Sequence, residues 1–439
     1  MSDNKVNESK KLETEAYKGV RDFYPEDQFV QNYIFDRMRK VVESFGYQEY
    51  GASVLEPADL YRAKSGEEII NEQTYTFKDR GDRDVTLRPE MTPTLARMIA
   101  AKKRELSFPI RWYSIPNLFR YEKPQKGRLR EHWQLNVDIF GISGLEAEVE
   151  ILSVASNLMK SFGLKDNNFE IRINSRKIMS YIFDDLMNLS AEDSQKVSKL
   201  IDKKDKISKE DFELSIKEIV PEKSDELLVL LNSKNLEEFV AKLPKGQEIS
   251  EKIEEIRTLM SRLEKLGITN TVFDQTLMRG FDYYTGIVFE IYDTNPENRR
   301  AVFGGGRYDD LLSIFGGDKV PAFGFGMGDV TTQDVLKTYG LLPAYQSKTQ
   351  LYICTLSEEF KDYASDIAQK LRESGINVIV DLGTKKVGDQ IKLADKQKIP
   401  FIICLGEDER KSGEFKLKNL KTGEEKTVTE DTLAQNLNA

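Results

Sequence analysis

Between Arg176 and Lys265 the chain changes character: Lys, Glu and Leu dominate, glycine almost disappears, and no stretch reads as a convincing strand. Strand-like sequence lies on both sides of this block. The shift marks an inserted helical domain over residues 176–265, dividing a strand-rich domain into a first part, 17–175, and a second part, 266–342. A chain of 439 residues also exceeds what one hydrophobic core supports, so two or three domains are expected.

In the first part, Phe29, Tyr33, Ile34, Met38, Val41, Val42 and Phe45 recur at helical spacing and predict an amphipathic helix from Glu26 to about Gly46. Strands are expected at 53–55, 73–78, 84–87, 111–120, 134–140 and 169–173, with helices over 93–102 and 146–162. Strands so closely spaced in sequence point to an antiparallel sheet and an α+β fold. Strand signals resume at 271–278 and 287–292, followed by glycine-dense sequence from Phe303 to Gly328. Residues 343–348 read as a linker. Beyond it, 349–439 begins as strand, helix, strand, helix, strand, which predicts a compact, mostly parallel α/β domain. Residues 1–16 alternate charges without apolar periodicity and are expected to form a flexible N-terminus.

Composition narrows the chemistry. One histidine, His132, cannot by itself build a catalytic triad or a His-ligated metal centre. The two cysteines, Cys354 and Cys404, sit in short apolar runs where a thiol acts as a small hydrophobe, so no metal site is expected from His or Cys. Catalysis must then rest on Arg, carboxylates, Gln, Tyr or a borrowed ion. A net charge of −9 argues against indiscriminate nucleic-acid binding and leaves selective binding through local basic patches. No apolar run approaches the roughly 18 residues of a membrane span, and the first residues lack an apolar signal segment, so a cytoplasmic location with no membrane partner is expected.

Several segments carry polar groups in unusual density. Phe119-Arg120-Tyr121-Glu122-Lys123-Pro124-Gln125-Lys126-Gly127-Arg128-Leu129-Arg130 places an arginine at a strand end and four further cations in the loop after it. Such a loop suits phosphate, and equally reads as a solvated hairpin tip. In Arg279-Gly280-Phe281-Asp282-Tyr283-Tyr284-Thr285-Gly286 a cation, a carboxylate and two phenols occupy a glycine-bounded turn, suited to a small polar ligand or to a capped, packed turn. Gly304-Gly305-Gly306-Arg307-Tyr308-Asp309 reads as a flexible loop with a cation, but without the spacing of a phosphate-binding P-loop. Thr86-Leu87-Arg88-Pro89-Glu90-Met91-Thr92 ends where a helix N-cap is the plainer reading.

Taken together and in this order, with Gln134-Leu135-Asn136-Val137-Asp138 and the opening Lys18-Gly19-Val20-Arg21-Asp22-Phe23, these segments resemble the histidyl-tRNA synthetases, a class II aminoacyl-tRNA synthetase family. The resemblance covers nearly the whole chain, and the Arg279 segment is its most specific part. It implies a class II antiparallel sheet with flanking helices, the helical insertion, and a C-terminal α/β anticodon-binding domain. It also implies a homodimer that activates histidine with ATP and transfers it to its tRNA, with Mg²⁺ on the ATP phosphates. Carried over residue by residue, Arg120 and Arg279 would be catalytic at the α-phosphate. Glu90, Thr92, Gln134, Asp138, Tyr284 and Tyr308 would bind histidine. Arg120, Glu122, Arg128 and Arg279 would bind ATP, and Gln125 and Lys126 the tRNA.

Three positions depart from the family pattern. Asp138 stands where many members carry glutamate, and Ser53 where a proline is typical at the dimer interface. Thr331 stands where the final motif usually ends in an ATP-contacting arginine. The last departure keeps two alternatives in view: a catalytically silent, synthetase-like regulatory subunit of histidine biosynthesis, and a tRNA-binding sensing module.

Overall fold

The computed structural model describes residues 12–62, 73–125, 127–204, 207–278, 283–298 and 301–438. The chain divides into two compact units, Met1–Tyr24 with Gln31–Leu342, and Pro25–Val30 with Pro343–Ala439.

The first unit is built on a sheet of nine strands. In chain order these are β1 (Gln48–Glu49), β5 (Ile110–Ser114), β6 (Asn117–Phe119), β7 (Glu131–Phe140), β8 (Phe169–Ser175), β9 (Thr271–Phe273), β10 (Ile287–Asp293), β11 (Ala301–Arg307) and β12 (Ala322–Gly328). They lie in the order β1-β5-β7-β12-β11-β10-β8-β9, with β6 also paired to β7. All pairings from β5 to β8 are antiparallel, whereas β1 joins β5 and β9 joins β8 in parallel. The sheet is therefore antiparallel at its centre and mixed at its edges. A separate three-stranded sheet pairs β2 (Leu55–Pro57), β4 (Asp84–Leu87) and β3 (Tyr75–Lys78).

The helix expected from Glu26 runs from Pro25 to Ser44, and its buried side chains include Ile34, Phe35, Met38 and Val42. The Glu146–Ser161 helix buries Ile151, Leu152, Val154, Ala155 and Leu158 at full depth. Residues 176–265 hold helices and no strand among those described; the longest, Gln247–Lys265, buries Ile249, Ile253, Ile256, Leu259 and Leu263 at the i, i+3, i+4 spacing of one face.

The largest departure lies in the glycine-dense region. Residues 304–306, expected as a flexible loop, are the middle of β11, and Gly324, Gly326 and Gly328 alternate through β12. Both strands sit at the centre of the sheet, where glycine normally weakens a strand unless another group needs the space. The strand expected over 271–278 ends at Phe273. There Asp274 turns the chain by accepting hydrogen bonds from the Thr276 backbone N–H (2.9 Å) and hydroxyl (2.6 Å).

In the second unit β13 (Leu351–Thr355), β14 (Val378–Val380) and β15 (Phe401–Leu405) are parallel, and β16 (Glu414–Asn419) and β17 (Glu425–Thr429) add an antiparallel hairpin. The core is Leu351, Ile353, Ile367, Leu371, Ile403, Leu405 and Phe415 with their neighbours. Cys354 and Cys404 face each other across β13 and β15, the first buried and the second half-buried. Among the described residues no helix is long and apolar enough to cross a membrane.

Candidate active site

A cavity of about 130 Å³ opens on one face of the central sheet. It is lined by Glu90, Thr92, Arg120, Gln134, Asn136, Asp138, Tyr283, Tyr284 and Tyr308, with Gly304, Gly324 and Gly326 beneath. Pockets for drug-sized ligands measure about 300–1,000 Å³. This one suits a small polar metabolite, and a nucleotide would have to extend beyond it.

The side chains reach the cavity from separate elements. Because β7 alternates with period two, Gln134, Asn136 and Asp138 share one face. Glu90 and Thr92 lie after β4, at the start of the Thr92–Lys102 helix. The expected cap is absent there: Met91 occupies the cap position and makes no side-chain cap bond, so Thr92 remains among the cavity-lining residues. Arg120 follows β6, and its Nε donates to the Pro89 carbonyl at 2.9 Å, tying the strand end to the Glu90 segment.

Two buried carboxylates define the electrostatics, each taking a hydroxyl. Tyr308 donates to Asp138 Oδ1, and Tyr283 donates to Glu90 Oε2 at 3.2 Å. Burial pushes the Asp138 carboxyl up to about 7, against the opposing pull of the Tyr308 hydrogen bond. Burial, and then the charge of Asp138, raise the Tyr308 phenol. The three phenols pack as a cluster, with ring centroids 4.9 Å apart for Tyr283 and Tyr284 and 5.8 Å for Tyr283 and Tyr308. Gln134 Nε2 donates to Asn136 Oδ1 at 2.7 Å, which fixes the carboxamide. His132, on the same strand face, is kept neutral, its imidazole brought down to about 3 by burial and by the charges of Arg120 and Arg21.

The structure thus gathers Glu90, Thr92, Arg120, Gln134, Asp138, Tyr284 and Tyr308 around one cavity. Glu122, Gln125 and Arg128 lie outside its lining: Arg128 pairs with Glu122 at 3.3 Å, and Gln125 closes a hairpin against Arg128. Lys126 and Arg279 fall outside the described residues. Arg307, singled out as a loop cation, is buried away from the cavity. Its guanidinium forms a two-pronged pair with Glu148, Nε to Oε1 at 2.5 Å and Nη2 to Oε2 at 2.6 Å, which anchors the end of β11 next to Tyr308. Thr331 donates its hydroxyl to the Val302 carbonyl at 2.8 Å and so brings no cation to the site. Phe325 also borders the cavity, and two polar lining residues were not foreseen, Asn136 and Tyr283. The period-two spacing with Gln134 and Asp138 would have found the first; the second adjoins Tyr284 in the segment already singled out.

The family described as histidyl-tRNA synthetase matches residues 19–329, and an anticodon-binding domain matches residues 350–439. The histidine–tRNA ligase of Leptospira biflexa is 44% identical over 93% of this chain and 94% of its own length. That of Thermoplasma volcanium is 37% identical over 95% and 97%. Among solved structures, histidyl-tRNA synthetase from Nostoc sp. PCC 7120 shares the fold, with a TM-score of 0.82 at 24% identity over 98% of this chain and 99% of that one. The apo enzyme of S. aureus gives a TM-score of 0.74 at 27% identity over 97% and 100%. Relatives of this similarity, matched over nearly their whole length and carrying the enzyme's name, favour the enzyme over the regulatory alternative. The chain belongs to the histidyl-tRNA synthetase family.

Proposed function

We propose that the cavity binds histidine and that the chain performs both steps of histidine–tRNA ligation. The observation that carries this reading is the pair of buried carboxylates, Glu90 and Asp138, at different points of one small cavity. Histidine presents an ammonium group and an imidazole, each needing an acceptor, and a carboxylate needing donors. Glu90 and Thr92 take the ammonium. Tyr308 donates to Asp138 yet keeps lone pairs with which to accept an ammonium hydrogen. Gln134 steadies the carboxylate, while Asp138 and Tyr284 read the imidazole. Every amino acid shares the ammonium and the carboxylate, so discrimination falls to the imidazole: a side chain without its polar atoms would bury Asp138 against a group that cannot match it, which makes rejection strong.

In the first step a carboxylate oxygen of histidine attacks the α-phosphorus of ATP. The new O–P bond forms as the bond to the β-phosphate oxygen breaks, and pyrophosphate leaves. Arg120 and Arg279 are the proposed cations for the charge that builds on the α-phosphate oxygens. Mg²⁺ belongs to the ATP substrate through its phosphates. In the second step the terminal ribose hydroxyl of the tRNA attacks the histidyl carbonyl and AMP leaves. Gln125, Lys126 and Arg128 are proposed around the acceptor end and ATP, with Glu122, paired to Arg128, at the nucleotide. Residues 349–439 are proposed to engage the anticodon, 176–265 to act as an inserted module between 17–175 and 266–342, and the enzyme to work as a cytoplasmic homodimer.

Single-turnover adenylate formation at saturating histidine and ATP tests the chemistry. Arg120→Ala and Arg279→Ala should each slow the step by about 10²–10³, the cost of one preorganised donor to transition-state charge. Folded variants within a few-fold of the parent rate would remove these arginines from the mechanism.

A further inference from the structure

The floor of the cavity is made from three adjacent strands, and only one sends polar side chains over it. Gln134, Asn136 and Asp138 on β7 stand opposite Gly328, Gly326 and Gly324 on β12. On β11, Gly304 and Gly306 continue the row as the partners of Gly326 and Gly324. The intervening residues of β12, Phe323, Phe325 and Met327, are buried apolar groups. Glycine thus recurs at the β12 positions opposite the polar residues of β7, in a strand whose intervening positions are large.

Backbone conformation does not account for this, because Gly324 and Gly326 are absent from the positive-φ positions. Contact does. A β-carbon at Gly326 would stand 2.2 Å from Gln134 Nε2 and 2.7 Å from Gln134 Cδ, and its three nearest neighbours all belong to that one carboxamide. At Gly324 it would stand 2.0 Å from Asp138 Oδ1 and 2.8 Å from Asp138 Cγ, with the Val137 carbonyl also at 2.7 Å. These separations lie well inside van der Waals contact. The space a side chain would take on β12 is filled by the polar ends of β7.

We infer that Gly324 and Gly326 are positioning residues for amino-acid recognition: their missing side chains are the seats in which the Asp138 carboxylate and the Gln134 carboxamide lie. This rests on the reading of the cavity as the histidine site. A methyl group at 326 would lift the Gln134 carboxamide off the sheet and away from Asn136, into the volume meant for the substrate.

A double-mutant cycle on the full chain separates positioning from general strand damage. Histidine and ATP Michaelis constants would be measured in ATP–pyrophosphate exchange for the parent, Gly326→Ala, Gln134→Ala and the double variant, with thermal unfolding of each. Gly326→Ala should raise the histidine constant about tenfold or more by displacing a buried donor, and leave the ATP constant within about twofold. In the Gln134→Ala background the same substitution should add no more than about twofold, because the group it displaces is gone. Should Gly326→Ala fail to fold while the double variant folds, the clash with Gln134 is still identified as the cause. An equal cost in both backgrounds, an unchanged histidine constant, or failure of both variants to fold would overturn the assignment. A parent chain that does not respond to histidine would instead refute the reading of the cavity.

Discussion

Asp138 concentrates the energetic tension of the site. Its carboxyl is buried, accepts one phenol hydrogen and titrates near 7 rather than near the ordinary 4. A folded-state value raised above the unfolded one favours the protonated form on folding. The associated stability is therefore fully present below about pH 4 and is lost as pH rises through about 7. Under the proposed function, histidine would offer the compensating partner, its imidazole donating a hydrogen to the charged carboxylate. Asp138→Asn keeps an acceptor for Tyr308 and removes the titration. Denaturant unfolding of the ligand-free parent and variant at pH 4 and pH 8 should show a stability decline smaller in the variant, by up to about 4 kcal/mol for a shift of this size. Equal declines would mean that the carboxylate is better solvated than its burial implies.

At the scale of elements, β11, which ends at Arg307 just before Tyr308, is held by the Arg307–Glu148 pair, with exposures of 4% and 1%. Breaking one side leaves a buried charge alone, so Arg307→Met should cost about 3–5 kcal/mol in denaturant unfolding, and Glu148→Met added to it should restore much of the loss. A double variant no more stable than the single would show that the loss does not come from the charge left alone. How far such elements can be read from sequence depends on what their residues advertise. The Pro25–Ser44 and Gln247–Lys265 helices show their apolar faces directly, and β7 shows the run ending in Phe140. The β11 and β12 strands hide, because glycines placed to make room for neighbours look like a loop when those neighbours are unknown. The β16–β17 hairpin hides differently: only Phe415, Leu417 and Val428 are buried, and its exposed Lys, Glu and Thr positions dilute the alternation.

At the scale of the whole molecule, the site draws on segments near 90, 120, 134–138, 283–284, 304–308 and 324–326. No local pattern announces that these meet. Their chemistry was legible because their order along the chain resembles one family; their geometry came from the sheet, which puts β7, β12 and β11 side by side although residues 141–321 separate β7 from β12 in sequence. Asn136 and Tyr283 show the remaining gap, since each acts by holding another residue, Gln134 or Glu90, rather than by matching a motif. The central claim is that this cavity selects histidine for activation. ATP–pyrophosphate exchange by the full chain, run with each standard amino acid in turn, tests it most directly. Exchange driven by histidine, with every other amino acid near background, is the predicted result; exchange driven by a different amino acid, or by none, would contradict it.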